Sequence, residues 1–497
     1  MILINPKSTK LGIFERYVPL SVPISVGYLA GYLLHHGRRA EIVDEHIEPL
    51  SAELLNKVLE KVSPPYIFGI STLTACAQRS YNIAKELKSR YPDSKIILGG
   101  IHPTVLTEEA LENSAVDFVV RGEGEKALLE LYDALKNKSD YRAIKGLSYK
   151  SGGKLVHNQL AGLPDLDEFP PFAYHLFEKN IVKYNFGFIA SSRGCPYNCI
   201  FCSQRSISGQ KFRYLPDEVV INELDLLINK YRQTHITFCD DNFTGNKQRV
   251  ARLCEQMIKN KFQEKAAFDF QTRADAVNDE VLALLKKAGF RMINYGLETA
   301  SERLMVLLNK QETVADNIAA VKLAKKHGFG VSGTFILGLP TETRKERWQN
   351  YDLAKRLNLD YARFNNATPY PGTKLYDMAK EEGRLFIEKG WVNLNACASL
   401  VQDYSLAELR LPYVPLGCDE GELKKDILKA NLFFSLSPKI VFKLLTKSRG
   451  PSGWFYLPPR WYLNLEEWRC LIKLGCNLFK SLVKVYSRNR PEEVRAS

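Results

Sequence analysis

The sequence predicts an α/β protein of two parallel-sheet units followed by a small, mainly helical C-terminal region. Short apolar runs alternate with longer helical patterns over residues 1–140, and a second alternating series spans residues 184–390. At 497 residues the chain also exceeds the size that one hydrophobic core usually supports. We expect a first domain at 1–140, a hairpin and linker at 141–183, a second domain at 184–390 and a helical region at 391–497.

The first unit contains five predicted strands, which are Ile2–Asn5, Ala40–Asp44, Tyr66–Ser71, Lys95–Gly100 and Val116–Arg121. Helical patterns such as Ala75–Tyr91 and Gly124–Lys136 lie between them. Strands that alternate with helices in this way form a doubly wound, Rossmann-like parallel sheet.

Small residues stand where three of these strands end, and ligands of doubly wound sheets bind at such ends. The candidate binding residues are Ser71, Leu73, Gly99, Gly100, Gly122 and Glu123. They leave room for a large flat ligand or a nucleotide tail. Glycines also form turns, so a binding role and a turn role both stay open.

The segment between the units predicts a hairpin at Ile144–Asn158, centred on Ser151-Gly152-Gly153. Leu163–Pro171 is too rich in proline for the interior of a helix or strand, so we expect a linker. The second unit then contains six predicted strands, which are Phe186–Ala190, His235–Cys239, Ala267–Thr272, Arg291–Leu297, Val331–Gly338 and Ala362–Thr368. Helical patterns such as Asp217–Tyr231 separate them, which predicts a partial (β/α)6 barrel with its site at the carboxyl ends of the strands.

Three cysteines, Cys195, Cys199 and Cys202, follow the first strand of this unit in a C-x3-C-x2-C array. Gly194 and Pro196 bend the loop, so the three thiolates can converge on one metal centre. Three cysteines leave one iron of a four-iron cluster open to a substrate or cofactor. A zinc site with Cys239 as a further ligand, and a trio of unligated buried cysteines, are the alternatives.

The other strand ends of the second unit are polar or rich in glycine. The residues of interest there are Asp240, Asp241, Arg273, Glu298, Gly338 and Pro340. Carboxylates, an arginine and glycines around one barrel mouth could hold an amine, a carboxylate, a ribose and an adenine. Each residue taken alone could equally be a helix cap or a turn former.

The formal net charge is +13, and most of it lies between Pro438 and Arg490, where eleven Lys or Arg residues accompany two Glu. The rest of the chain is nearly neutral, which argues against a nucleic-acid partner. The cysteine usage fits a reducing cytoplasm, and the N-terminus lacks the pattern of a signal peptide. Val18–Leu34 is uncharged but is interrupted by Pro19 and Pro23, so we expect a buried loop and helix there instead of a membrane span.

The tail after Trp468 predicts an amphipathic helix with a basic stripe. Such a helix packs on the barrel or lies on the inner face of a membrane as a peripheral contact, and the sequence leaves both readings open.

Residues 184–385 resemble the radical S-adenosylmethionine (SAM) enzymes, whose C-x3-C-x2-C signature has an aromatic residue before the third cysteine, here Phe201. The resemblance implies that the three cysteines hold a 4Fe–4S cluster, that the open iron binds SAM, and that reductive cleavage gives a 5′-deoxyadenosyl radical. By position it also places six residues around SAM. Asp240 and Asp241 would lie near the methionine amine, Arg273 near its carboxylate, Glu298 near the ribose, and Gly338 and Pro340 near the adenine.

Residues 1–140 resemble the cobalamin-binding domain that precedes the radical domain in one large subgroup. Ser71-x-Leu73, Gly99-Gly100 and the turn at Gly122–Glu125 carry this resemblance, and residues 453–462 are similar to an aromatic stretch near the C-terminus of such enzymes. The D-x-H-x-x-G loop of cobalamin-dependent mutases is missing, so we do not expect His46 to bind cobalt.

The combined resemblance implies a class B methyltransferase that acts on an unactivated carbon by means of methylcobalamin and a substrate radical. It also implies a small-molecule or lipid substrate and an external electron donor of the flavodoxin or ferredoxin type. Oxidative cyclisation, as in the anaerobic protoporphyrin-ester cyclase, is the alternative on the same scaffold. A zinc-bound binding protein without catalysis is the alternative from a different class, and the residues that would contact the substrate are not assigned.

Overall fold

A computed structural model of the chain describes residues 1–7, 20–394, 409–438 and 440, and the single residues 465, 468, 469, 472 and 476. The aromatic stretch at 453–462 and most of the predicted amphipathic tail lie outside the described residues. No helix within the described ranges is long and apolar enough to cross a membrane.

The first sheet contains seven strands in the order β2-β1-β3-β4-β5-β6-β7. They are β1 (Ile2–Asn5), β2 (Glu41–Asp44), β3 (Ile67–Ser71), β4 (Lys95–Gly99), β5 (Phe118–Val120), β6 (Leu147–Ser151) and β7 (Lys154–His157). The first five pair in parallel, which confirms the doubly wound sheet. The predicted hairpin forms β6 and β7, and it extends the sheet because β6 pairs with β5 in antiparallel fashion.

Helices cover both faces of this sheet. They are α1 (Ile24–His35), α2 (Ala52–Leu59), α3 (Ala77–Arg90), α4 (Ile101–Val105), α5 (Thr107–Glu112) and α6 (Glu125–Asn137). In β4 the buried Ile96 and Leu98 pack into one apolar cluster and Ile97 packs into another. A strand buried on both faces reads as an unbroken apolar run, which is why this strand shows no polar alternation. The uncharged stretch before residue 35 forms α1, as predicted.

The second sheet contains six parallel strands in the order β8-β11-β12-β13-β14-β15. The strands of this unit are β8 (Phe188–Ile189), β9 (Ser192–Arg193), β10 (Arg213–Tyr214), β11 (His235–Phe238), β12 (Ala267–Thr272), β13 (Phe290–Glu298), β14 (Gly330–Leu337) and β15 (Tyr361–Asn366). Its helices are α7 (Arg205–Ser208), α8 (Asp217–Asp225), α9 (Lys247–Lys259), α10 (Asp279–Lys287), α11 (Glu302–Leu307), α12 (Val314–Lys326), α13 (Arg344–Arg356) and α14 (Lys374–Glu381). All six predicted strands occur. β8 is shorter than predicted because the Asn185 side chain takes the Gly187 N–H.

The last described helix, α15 (Glu420–Ser435), lies along the edge strand β15. The Asn431 side chain accepts a hydrogen bond from the Phe364 N–H at 3.2 Å and donates one to the Phe364 carbonyl at 2.8 Å. An exposed parallel edge would present unpaired backbone groups to other chains. The helix protects this edge and confirms a helical element in the C-terminal region.

Buried ion pairs join the two sheets. Glu123, in the turn before α6, accepts from Arg213 at 2.5 Å, and Glu125 in α6 pairs with Arg193 at 2.8 Å. The Arg193 guanidinium also lies 5.1 Å from the centroid of the Tyr28 ring. The side chains of Glu123 and Arg213 are only 4% and 5% exposed, so this contact is shielded from salt and water.

The linker is also buried, through its aromatic residues. Phe169, Phe172 and Tyr174 join the core of the second unit. The Phe172 N–H donates to the Glu223 carboxylate in α8 at 2.7 Å. The other oxygen of Glu223 has no partner among the residues that the structure describes, and burial raises the pKa of Glu223 to about 7.

We expect Arg213→Met to lower the free energy of unfolding by about 3 kcal/mol, because it leaves part of the Glu123 charge buried and unpaired. Adding Glu123→Gln should recover most of that loss, as measured by urea denaturation. Arg252→Met is the matched control, since Arg252 pairs with Asp217 at an exposed position and should cost less than about 1 kcal/mol. A double variant as unstable as the single one would contradict this account.

We expect Glu223→Gln to remove a pH dependence of stability. The carboxyl pKa rises from 4.5 to about 7 on folding, so the native protein holds the extra proton and loses stability as pH increases through that range. At pH 8 the amide should stabilise the fold by roughly 3 kcal/mol relative to the native residue, with no difference below pH 4.5. Urea denaturation at several pH values tests this, with the exposed Glu218→Gln as control. Parallel pH profiles for the native and Glu223→Gln proteins would refute it.

Candidate active site

The three predicted cluster cysteines lie on one irregular loop that follows β8 and β9. Cys195, Cys199 and Cys202 are free thiols and all are partly exposed. Gly194 has a φ of 83°, and a Cβ there would lie 2.4 Å from the Lys211 carbonyl oxygen. Only glycine permits this approach, so the chain turns sharply just before the first cysteine.

Backbone contacts to neighbouring elements fix the loop. The Ile200 N–H donates to the Leu308 carbonyl at 3.1 Å, and the Leu375 N–H of α14 donates to the Ile200 carbonyl at 2.9 Å. The Asn309 side chain donates to the Asn198 carbonyl at 3.0 Å. The fold itself therefore positions the three thiols.

The thiols need a positive charge beside them to ionise. Burial raises the pKa of Cys199 to about 12, and the Glu298 carboxylate contributes to the shift. Burial also raises the pKa of Cys195 and Cys202. Iron ions supply such a charge when they bind, whereas a free reactive thiolate would require a lowered pKa. The raised pKa values therefore argue against a free reactive thiolate in this loop.

A four-iron cluster and a single zinc ion place different demands on the three thiols. Across the described parts of the chain, no group of three or more His, Cys, Asp or Glu side chains converges on the position of one metal ion. A four-iron cluster binds each thiolate through a different iron, so its ligands lie farther apart than the ligands of one zinc ion. Cys239, the candidate for a further zinc ligand, lines a cavity instead.

The structure gives the two predicted aspartates different environments. Asp240 is 1% exposed and accepts hydrogen bonds from the Ser191 N–H at 3.1 Å, the Ser191 hydroxyl at 2.9 Å and the Ser192 hydroxyl. Asp241 borders the cavity and accepts from the Gly194 N–H at 3.2 Å. Burial raises the pKa of Asp241 to about 6. Asp241 is thus open to a ligand, and Asp240 holds the strand that leads to the cysteines.

Arg273 contacts the cysteine loop directly. Its guanidinium carbon lies 3.3 Å from the centroid of the Tyr197 ring, a stacked cation–π contact. Two of its N–H groups donate to the Asp275 carboxylate, each at 2.9 Å. The side chain is therefore beside the cysteine loop and is oriented by an acidic neighbour.

Glu298 stands at the carboxyl end of β13 in a left-handed conformation, with a φ of 57°. Its carboxylate lies 3.3 Å from the Lys310 ammonium, which also pairs with Glu312 at 2.9 Å. A Cβ on Gly296, two residues earlier in β13, would lie 2.3 Å from the Glu298 carboxylate, so the Glu298 side chain fills the space beside this glycine. Backbone strain of this kind in a non-glycine residue is concentrated at functional sites.

Gly338 and Pro340 lie in a turn after β14, away from the cavity that Asp241 borders. The Gly338 N–H donates to the Glu342 carboxylate at 2.5 Å. A Cβ on Gly338 would lie 2.7 Å from the Leu423 side chain of α15, and Pro340 is buried in the same turn. The described geometry places both residues in packing contacts.

A cavity of about 520 Å³ lies between the carboxyl ends of the two sheets. All six candidate residues of the first unit line it, namely Ser71, Leu73, Gly99, Gly100, Gly122 and Glu123. The second unit contributes Asp241 and, directly after Cys202, Ser203 and Gln204. The first turn of α1 closes another side of the cavity. The structure thus brings the candidate residues of the first unit next to the cysteine loop.

The walls of the cavity suit a large, flat, partly apolar group such as cobalamin. Leu73 is 58% exposed although it lines a cleft. Burial of this apolar side chain against a bound ligand would be favourable. Gly100 has a φ of 95°, and a Cβ would lie 2.9 Å from the Thr72 carbonyl oxygen. The Glu123 carboxylate is already bound by Arg213, so it stabilises the wall. His46 does not line the cavity and lies 3.0 Å from the Asp44 carboxylate.

Sequence reasoning missed several contributors to this site. Ser191 and Ser192 were visible as hydroxyls at the end of an apolar run, and their partner Asp240 follows the neighbouring strand β11. Arg193 and Lys310 gave no local sequence signal. The acidic partner of Arg193, Glu125, lies far away in the sequence, and the acidic partner of Lys310, Glu298, stands at an irregular strand end.

Two family models match the chain. The model of the radical SAM superfamily matches residues 189–354, and that of the B12 binding domain matches residues 14–132. The matches fall on the unit that carries the cysteine loop and on the unit that carries the glycine-rich strand ends.

Curated proteins match over most of the chain. An uncharacterized methyltransferase of Pyrococcus horikoshii is 33% identical over 434 residues, which cover 86% of this chain and 91% of that protein. The anaerobic magnesium-protoporphyrin IX monomethyl ester cyclase of Cereibacter sphaeroides is 29% identical over 378 residues, covering 73% of this chain and 61% of that protein.

Solved structures show the same fold. The radical S-adenosylmethionine methyltransferase TsrM of Kitasatospora setae, with cobalamin and a [4Fe-4S] cluster bound, superposes with a TM-score of 0.65 at 17% identity. The match covers 97% of this chain and 88% of that chain. Together with the family matches and the long relative, this shows that the chain belongs to the radical SAM superfamily and is one of its enzymes with a B12-binding domain.

Proposed function

We propose that this chain is a methyltransferase that moves a methyl group from SAM to an unactivated carbon of its substrate. The observation that carries the proposal is the cavity between the two sheets. It joins the six candidate cobalamin residues to Asp241 and to the residues that follow Cys202. A methyl carrier and a radical generator have to act on the same substrate carbon, and the proposal is supported because candidate residues for both line one cavity.

The proposal assigns each cofactor to residues of this chain. Cys195, Cys199 and Cys202 hold a 4Fe–4S cluster, and Asp241, Arg273 and Glu298 lie around SAM. Residues 1–140 form the cobalamin domain, and residues 184–390 form the radical domain. When bound, these groups supply reductive cleavage of SAM and a carrier for the methyl group.

The chain's own residues position these groups and exclude water. Asp240 fixes Ser191 and Ser192, so that the cysteine loop starts from a rigid strand end. Arg273 stacks on Tyr197 and keeps a positive charge near the thiolates. The buried ion pairs hold the first sheet against the loop, which limits solvent access to the cavity.

A non-methylating radical reaction, such as oxidative cyclisation, is the second candidate. The resemblance to a magnesium-protoporphyrin ester cyclase over 73% of this chain favours it. The same residues would hold the same cofactors, so the two candidates differ in product. An external electron donor of the flavodoxin or ferredoxin type and a small-molecule or lipid substrate belong to both proposals. A peripheral membrane contact is proposed only for the tail, most of which lies outside the described residues.

Methyl-labelled SAM separates the two candidates. The anaerobically reconstituted enzyme is given a cell extract, a reductant and SAM labelled in the methyl group. A methyltransferase incorporates the label into a product detected by mass spectrometry. Cyclisation would instead consume SAM and leave the product unlabelled, which would overturn the methyl-transfer proposal.

We expect Cys199→Ala to abolish reductive cleavage of SAM while cobalamin stays bound, because the six candidate cobalamin residues belong to the first unit and the thiolate belongs to the second. The native protein should bind about four irons and four sulfides per chain after anaerobic reconstitution. Cleavage is measured as 5′-deoxyadenosine released, and bound cobalamin from its visible spectrum. Cys418→Ala, which removes another half-buried thiol, is the matched control and should cleave normally. Cleavage that survives in Cys199→Ala, or stoichiometric zinc in the native protein, would show the cluster assignment to be wrong.

A further inference from the structure

A second pocket reaches the cysteine loop through residues that differ from those of the large cavity. This pocket, called here the outer pocket, has a volume of about 280 Å³. The cysteine loop, the first turn of α7 and the turn before α14 form its walls, and Cys199 and Cys202 line it. Both cysteines are partly exposed. Two of the three candidate cluster ligands are therefore reached from a surface that is not part of the large cavity.

The outer pocket is also separate from the residues assigned to SAM. Asp241, Arg273 and Glu298 lie outside its lining, and so does Cys195, the first cysteine of the array. The six candidate cobalamin residues line the large cavity instead. A partner at the outer pocket would therefore come close to two cluster ligands without contacting the residues assigned to either organic cofactor.

Two cations give the outer pocket its charge. Arg205 and Lys374 both have exposed side chains, and the remaining lining positions are Asn, Cys, Ile, Ser, Gly and Thr. Among the described residues, neither cationic side chain has an ion-pair or hydrogen-bond partner. Asp377 stands in the first turn of α14, outside the pocket lining. The rim of the pocket is therefore positive, and its two charges are available to an acidic partner.

The position of this positive rim suits the delivery of electrons. A cluster that cleaves SAM reductively needs an electron from outside the chain. Electron transfer slows steeply with distance, so a protein donor has to dock where ligands of the cluster reach the surface. Encounters of this kind bury small areas, and complementary charge steers and orients them. Two unpaired cations beside Cys199 and Cys202 meet both requirements.

We propose that Arg205 and Lys374 form the docking surface for a small acidic electron-transfer protein of the flavodoxin or ferredoxin type. The inference rests on the proposed function, because a donor is needed only if the cysteines hold a redox cluster. One electron passes from the reduced centre of the donor to the cluster. The donor is oxidised by one electron, the cluster is reduced by one electron, and no bond of this chain forms or breaks in the step.

Binding is tested with purified bacterial flavodoxin and, in parallel, purified bacterial ferredoxin, both oxidised so that no turnover occurs. Each donor passes over immobilised reconstituted holoenzyme in a surface plasmon resonance experiment. We expect Arg205→Glu and Lys374→Glu each to raise the Kd of at least one donor roughly fivefold at low ionic strength, because a rim charge changes sign. The difference should shrink at high ionic strength, where salt screens exposed charges.

Lys247→Glu is the matched control for the binding experiment. Lys247 is exposed and is the first residue of α9, as Lys374 is the first residue of α14, but it lies outside the pocket lining. This variant should bind both donors with the native Kd. Native Kd values in both pocket variants for both donors, or a loss of equal size in the control, would overturn the docking surface.

Electron delivery gives a second readout, measured as 5′-deoxyadenosine released from SAM. Reduced flavodoxin or ferredoxin should drive cleavage more slowly in the two pocket variants than in the native enzyme. Reduced methyl viologen, a small cation that needs no acidic docking surface, should drive cleavage at the native rate in all of them. Equal losses with methyl viologen would place the two residues in the cluster site and overturn the docking role. A native enzyme that cleaves no SAM with any reductant would contradict the proposed function, and the inference with it.

Discussion

Buried charge pairs set the distance between the two sheets, and the site depends on that distance. Glu123 and Glu125 belong to the first unit, whereas Arg193 and Arg213 belong to the second. A buried charge without its partner carries a large desolvation cost, so the pairs tolerate little separation. Arg193 lies two residues before Cys195, which means that the same contact fixes the start of the cysteine loop. The linker alone could not fix the position of one sheet relative to the other, since a segment of its length can adopt many conformations.

Hydroxyl and backbone donors hold the loop from the barrel side. Asp240 is buried, and burial raises its pKa, yet its oxygens receive three hydrogen bonds from Ser191 and Ser192. Asp241 adds a fourth contact by accepting the Gly194 N–H. A ligand site is precise when the groups around it are themselves restrained by packing and hydrogen bonds. The two adjacent carboxylates therefore have different roles. Asp240 restrains the loop, and Asp241 borders the cavity.

The sequence predicted the elements well because each carries a local signal. The parallel strands of both sheets follow from apolar runs, and the cysteine loop follows from a spacing that few other structures use. The pairing of the hairpin onto β5 was not predictable, since strand partners depend on contacts far apart in the chain. Gly338 shows the same limit, because its place in a glycine-rich turn was clear while its contact with Leu423 on α15 was not. Polar residues within the strands, such as Gln271 and Thr334, were visible in the sequence, but only the sheet register shows which of them share a face.

An open sheet arc solves a problem that a closed barrel would create. Closure requires apolar side chains to fill the interior, and a filled interior leaves no room beside the cysteine loop. Because the arc stays open, β15 is an edge strand. Helix α15 covers this edge through the hydrogen bonds of Asn431. The open arc also leaves polar side chains on the face of the sheet opposite the apolar core, among them Gln271, Thr334 and Arg363. Local departures from ideal packing are concentrated where proteins bind ligands. In this chain the carboxyl ends of the open arc carry the strained Glu298 and the start of the cysteine loop, and this links the shape of the sheet to the candidate site.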